Sequence, residues 1–158
     1  DLFIGVASNT MMMGITYAFS GLPWEQFGTF YVWATVCVLA VDAMVVAAVS
    51  ASKNLEVAQA VALPPILLCV IFSGLITNRA SAPSYLAWLL DLSPVHYVME
   101  MLAYQMYKED EQAWGDLKEQ FSFREANVMR VVCFCSGVFV LGHSLQGLAM
   151  TYLNNPEK

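Results

Sequence analysis

Polar residues are sparse along this chain and fall in clusters, which leaves three long apolar stretches, 29–51, 57–76 and 126–153, and a more polar fourth over 2–20. Each is long enough to cross a bilayer, because a hydrocarbon layer of about 30 Å takes roughly 20 helical residues, and amides in lipid must bond within their own helix. The pattern predicts an all-α fold, an integral membrane bundle of four transmembrane helices in a single domain. Stretch 2–20 would be about 28 Å long at 1.5 Å per residue. Its central polar residues, Ser8, Asn9 and Thr10, are expected to face protein rather than lipid.

Breakers place the turns. Gly21-Leu22-Pro23 ends the first helix, and Trp24, Tyr31 and Trp33 supply amphipathic rings suited to the headgroup level. The turn is short, so the first two helices are predicted to be antiparallel neighbours. In the second, Ala43, Ala47 and Ala51 recur every four residues, a small-residue stripe that lets another helix backbone approach closely. Ser52 to Glu56 forms a tight polar loop, beyond which Ala58 and Ala62 repeat the small-residue spacing and Pro64-Pro65 predict an interrupted, kinked third helix.

Segment 77–125 is more than a simple hairpin loop. Pro83 starts a short apolar run through Trp88 and Leu90, after which Ser93-Pro94 has the form of an N-cap followed by proline at the first helical position. Met99, Leu102 and Met106 share a face, but the run 94–107 is too short to span, so it is predicted as a re-entrant or interfacial helical hairpin. Lys108 to Phe121 is charged and solvated. Ser122-Phe123-Arg124-Glu125 has the form of a capping box, which would start the last helix near Phe123 and carry it to about Leu153, ahead of Asn154-Asn155-Pro156.

Composition agrees with a membrane domain: 58% of the 158 residues are hydrophobic and 13% charged, a ratio suited to four spans with short connections. The net charge of −6 is concentrated, since Arg79 to Glu125 carries eight acids and four bases. No basic patch marks a nucleic-acid partner. Cys37, Cys69, Cys133 and Cys135 lie within apolar stretches, and residues two apart on a helix point to different sides, so packing is expected rather than a disulfide or a zinc site. The chain opens at Asp1 on an apolar helix without a cleavable signal pattern, as expected of a processed chain or part of a longer polypeptide.

The residues between the third and fourth stretches carry a resemblance. Phe72-Ser73-Gly74-Leu75, Asn78, Pro83, Tyr85-Leu86, Trp88-Leu89, Leu92-Ser93-Pro94, Tyr97 and Glu100 occur in an order that resembles the membrane domain of G-subfamily ABC transporters (white/scarlet and pleiotropic-drug-resistance type), within the type-2 ABC exporter fold. Tyr17, Gly21-Leu22, Phe27 and Phe30 look like that family's third span, outer turn and fourth span. The resemblance implies that the four stretches are spans three to six of six and that 77–125 is the large outer loop. It also implies a hydrophobic valve at Leu75 and Ile76 and a substrate cavity lined by Leu63, Leu67 and Val70. The chain departs from the family at Gln105-Met106-Tyr107, where an acid is expected, and its outer loop lacks cysteines and glycosylation sequons. No Gly-x-x-x-x-Gly-Lys-Ser/Thr loop is present, and no catalytic motif, so ATP and Mg²⁺ would act only through a nucleotide-binding domain elsewhere. The family layout places Lys53 and Lys158 inside and Arg79, Lys108, Lys118 and Arg124 outside, whereas a positive-inside count argues the reverse.

Candidate chemistry is limited to a few polar groups. Asp42 lies near the middle of the second stretch, where a lone charge costs about 2.5–3.5 kcal/mol, so it must face a partner or a wet cavity, or take up a proton. His143 lies at similar depth in the last stretch, and an Asp42–His143 bond across helices with Gln146 as helper is one expectation; Asp42 bonded to a backbone carbonyl is the other. His96 and Glu100 are four apart and suit an ion pair better than a metal site. Met11, Met12 and Met13 suit lipid-facing packing or an adaptable cavity, and Lys108-Glu109-Asp110-Glu111 a solvated face or a dock for a basic partner.

Two functions follow from these residues. One is the partial transmembrane domain of an ABC exporter of apolar or amphipathic molecules, partnered by the bilayer and by a second transporter half or other membrane subunits. The other is a non-catalytic, transporter-derived structural subunit of a larger membrane complex. Neither requires a cofactor or metal in this chain.

Overall fold

Glycine, proline and polar residues mark several of the helix ends in the computed structural model; the structure describes residues 2–50, 52, 54–77 and 82–152. Ala51, Lys53, Asn78, Arg79, Leu153 to Pro156 and Lys158 lie outside the described residues. Helix α1 (Leu2–Ser20) stops where Gly21 takes a φ of +70°, a left-handed conformation that glycine adopts without strain. A single 3-10 turn (Trp24–Gln26) leads into α2 (Phe27–Ser50), and Asn54 precedes α3 (Leu55–Ile71). Short helix α4 (Ala87–Leu92) is followed by α5 (Pro94–Tyr107), α6 (Glu111–Phe121) and α7 (Val128–Tyr152).

Two of these helices are long and apolar enough to cross a membrane: Trp24–Ser50 with mean hydropathy 2.3 and Val128–Tyr152 with 1.7. Only 17% of each apolar window is buried, whereas a soluble core helix of that composition would be mostly buried. Large side chains such as Phe19, Val32, Leu39, Val140, Leu141 and Leu148 stand exposed, as a lipid solvent requires.

The core lies where α2, α5 and α7 meet. Trp33 and Ala40 of α2, Tyr97, Val98, Met101 and Leu102 of α5, and Val131 and Cys135 of α7 form one buried cluster. Trp33 is therefore a packed ring within the protein: it is 6% exposed and its indole Nε1 donates to Gln105 Oε1 at 2.7 Å. Helix α5, too short to span, packs against both long helices and buries His96, Tyr97, Val98, Glu100, Met101 and Leu102.

Helices α2 and α7 run parallel, since contacting positions rise together from Ala40 beside Cys135, through Ala43 beside Gly142, to Ser50 beside Gln146 and Met150. Their closest approach uses Ala43, fully buried, against Gly142. Of the expected Ala43–Ala47–Ala51 stripe, Ala43 lies at this close approach, Ala47 is only partly buried and Ala51 lies outside the described residues; Ala40 is buried as well, and the smallest partner is a glycine on the facing helix.

Other boundaries also differ from expectation. Pro64 and Pro65 lie inside α3 without interrupting it, and α3 ends at Ile71 rather than Ile76, because Gly74 turns the chain with a φ of +91°. The segment 108–121 is not merely a solvated stretch. It forms α6, capped by Asp110, whose Oδ1 accepts from the amides of Gln112 and Ala113 at 3.2 and 3.1 Å, and anchored by buried Trp114. Ser122-Phe123-Arg124-Glu125 is not a capping box: Ser122, with φ 56°, closes α6, and Glu125 pairs with Lys118 at 3.1 Å. Asn127 caps α7 instead, its Oδ1 accepting from Met129 N at 2.9 Å.

Tyr17 locks α1 to α2. It is 1% exposed, packs against Trp24, Phe27 and Phe30 with centroids 5.7, 5.1 and 5.2 Å away, and its hydroxyl donates to the Pro23 carbonyl. The cysteines are all free; Cys133 is exposed and Cys135 buried, as the i,i+2 spacing requires.

Candidate functional site

On α3, positions 63, 67 and 70 recur at four and three residues and so share one face. That face is unpacked, with Leu63, Leu67 and Val70 exposed by 57, 54 and 51%. The chain then leaves the helix through buried Phe72 and Ser73, turns at Gly74 and presents Leu75 and Ile76, again largely exposed. The residues expected to line a cavity and to form a valve therefore make an apolar stripe with an apolar tip, joined by a turn.

The turn is held from behind. A Cβ at Gly74 would lie 2.6 Å from Nδ1 of His96 and 3.0 Å from the Phe123 ring, so only glycine admits α5 this closely. His96 is 1% exposed and its Nε2 lies 3.4 Å from Oε1 of Glu100, itself 6% exposed. The same carboxylate oxygen accepts from the Arg124 amide at 3.2 Å, and Ser73 Oγ accepts from the Leu75 amide at 3.4 Å. Ser93, at the start of α5, donates to the Cys69 carbonyl of α3 at 3.5 Å, so its hydroxyl serves α3 rather than capping its own helix. One buried acid and one buried imidazole thus tie the exit turn of α3, helix α5 and the segment leading into α7. The i,i+4 spacing of His96 and Glu100 was legible in the sequence; their position behind Gly74 was not, because it depends on a contact across the fold.

Asp42 and His143 flank the tight contact between Ala43 and Gly142. His143 Nδ1 lies 3.0 Å from Gln146 Oε1 and its ring meets Phe139 edge-on at 4.4 Å. Asp42 is exposed, and among the described residues no hydrogen bond joins it to His143; the expected cross-helix bond is not made within this chain. Gly142 brings the backbones together at Ala43, and Asp42 and His143, one residue to either side of that contact, both stay exposed, with His143 held by Gln146 on its own helix.

Of the methionines, Met13 is buried against α2, with Thr35 Oγ1 4.0 Å from its sulfur, whereas Met11 and Met12 are exposed. Among the described residues no three His, Cys, Asp or Glu side chains converge on a possible metal position.

Residues 1–107, from α1 through α5, match the family model described as ABC-2 type transporter. No curated protein matches the chain.

Proposed function

The chain belongs to the ABC-2 type transporter family, and from that premise we propose that it is the membrane-embedded part of a G-subfamily-type ABC exporter of apolar or amphipathic molecules. In this reading α1, α2, α3 and α7 supply the last four spans, and α4 with α5 dips into the outer leaflet as a re-entrant hairpin. The family match carries the reading, because it runs through α3, the Gly74 turn and α5, where the unpacked apolar stripe lies.

Leu63, Leu67 and Val70 would face the substrate path. Apolar side chains suit cargo drawn from the bilayer, since they offer dispersion contacts and no hydrogen bond that must be broken on release. Leu75 and Ile76 would close the outer end as a valve, meeting equivalent residues of a second transporter half. Such a valve needs a firm base, and the pair of His96 and Glu100 behind Gly74 supplies one. Movement of α3 and α5 together, against the second transporter half, would then open or close the path as a rigid step. The energy would come from ATP and Mg²⁺ on a nucleotide-binding domain that these residues do not form.

The test is ATP-dependent efflux of an amphipathic fluorescent dye from vesicles holding the intact assembly. Leu67→Trp should lower transport by narrowing the stripe, and Leu75→Ala with Ile76→Ala should let dye leak without ATP. An assembly that is stable but moves no dye with ATP, and is indifferent to both changes, would overturn the exporter reading in favour of a structural subunit.

A further inference from the structure

Asp42 and His143 share more than depth. In parallel helices touching at Ala43 and Gly142, the residue before the contact on one helix and the residue after it on the other turn to the same side, because each step rotates by about 100°. Their neighbours one turn away agree. Leu39 and Phe139 line an open apolar groove of about 410 Å³ together with Val36, Ser136 and Val140. Val46 and Gln146 line a second groove of about 240 Å³ with Ser50 and Met150. The two grooves therefore follow one side of the α2–α7 pair, above and below a polar waist formed by Asp42, His143 and Gln146. From Val36 to Ser50 this trough is about 21 Å long at 1.5 Å per residue.

We propose that this trough is the docking site of a further transmembrane helix that carries a cationic or hydrogen-bond-donating side chain at mid-membrane depth. Charge complementarity selects the occupant. Asp42 is the acid between the apolar ends of the trough, and a carboxylate there is tolerated only opposite a donor or water. Lipid chains fill apolar grooves but bring no donor to the waist. A helix satisfies both parts at once, apolar above and below and polar at one turn. His143 is engaged by Gln146, which leaves the carboxylate as the group the incoming side chain would meet. The inference rests on α2 and α7 crossing the membrane, but not on what the protein transports.

The experiment uses the full chain, donor-labelled, in phosphatidylcholine vesicles, with acceptor-labelled leucine-rich transmembrane peptides bearing either Arg or Leu at the central position. Energy transfer should show the Arg peptide binding at least about tenfold more tightly than the Leu peptide, a difference of about 1.4 kcal/mol. That preference should vanish in Asp42→Leu, and Leu39→Trp, which fills the upper groove, should weaken both peptides. Equal binding of the two peptides, an Arg preference that survives Asp42→Leu, or association of the chain only with itself would each overturn the proposal. Alkaline extraction of the same vesicles reports whether the chain is inserted; a chain stripped from the lipid would overturn the spanning reading and this inference together, whereas an inserted chain without the Arg preference overturns this inference alone.

Discussion

Gly142→Ala adds one carbon at the tightest point of the helix pair that organises the bundle. The added Cβ would lie 2.5 Å from the Ala43 carbonyl oxygen, 2.8 Å from the carbonyl carbon and 2.9 Å from the Ala43 Cβ. Two of those atoms are backbone and cannot rotate away. Restoring ordinary van der Waals contact means parting the helices locally by roughly 0.9 Å, a gap that forfeits a quarter to a half of the dispersion energy of each contact along the seam. Overpacking of this kind costs about 1–3 kcal/mol, and the better helix propensity of alanine returns up to about 1 kcal/mol. The expected net loss is about 1–2 kcal/mol, roughly a tenfold shift in the unfolding equilibrium. It should be measured by reversible SDS titration in mixed micelles, followed by circular dichroism. Gly137→Ala and Gly147→Ala are the internal controls, since an added Cβ there meets nothing within 4 Å, and both should be neutral or slightly stabilising. If Gly142→Ala behaves like those two, the close approach of α2 and α7 is not the contact that holds the bundle together.

The turn after α3 should be still less tolerant: Gly74→Ala meets both a φ of +91° and the His96 ring, for a loss of about 2–4 kcal/mol in the same titration. Adding His96→Ala should recover only part of it, since the backbone strain remains; full recovery would show that the ring alone required glycine. Asp110→Ala should remove the α6 cap and lower stability by about 1 kcal/mol, with Asp110→Asn close to wild type. Equal melting curves for all three proteins would remove that capping role.

Local rules worked where a boundary depends on residues next to it. The Gly21-Leu22-Pro23 break and the Pro94 start were legible because a positive φ, a missing amide and a fixed proline φ are properties of single residues. They failed where two local rules competed. Ser122 to Glu125 matches a capping box in sequence, yet Phe123 is drawn into the core beside His96, the Arg124 amide is taken by Glu100 and Glu125 is taken by Lys118. Helix α6 was missed because its charges mask the spacing of Ala113, Trp114, Leu117 and Phe121, a signal that was present.

Apolar length and composition by themselves determined that this is an all-helical membrane domain, because lipid admits little else and the requirement is one-dimensional. Motif order likewise pointed to the type-2 exporter family that the match over 1–107 shows. Only the tertiary structure decided that Gly142 faces Ala43, that His96 stands behind Gly74, and that Asp42 stays exposed. Each of those depends on the rotation and separation of helices distant in sequence, quantities that packing sets and that a linear pattern does not encode.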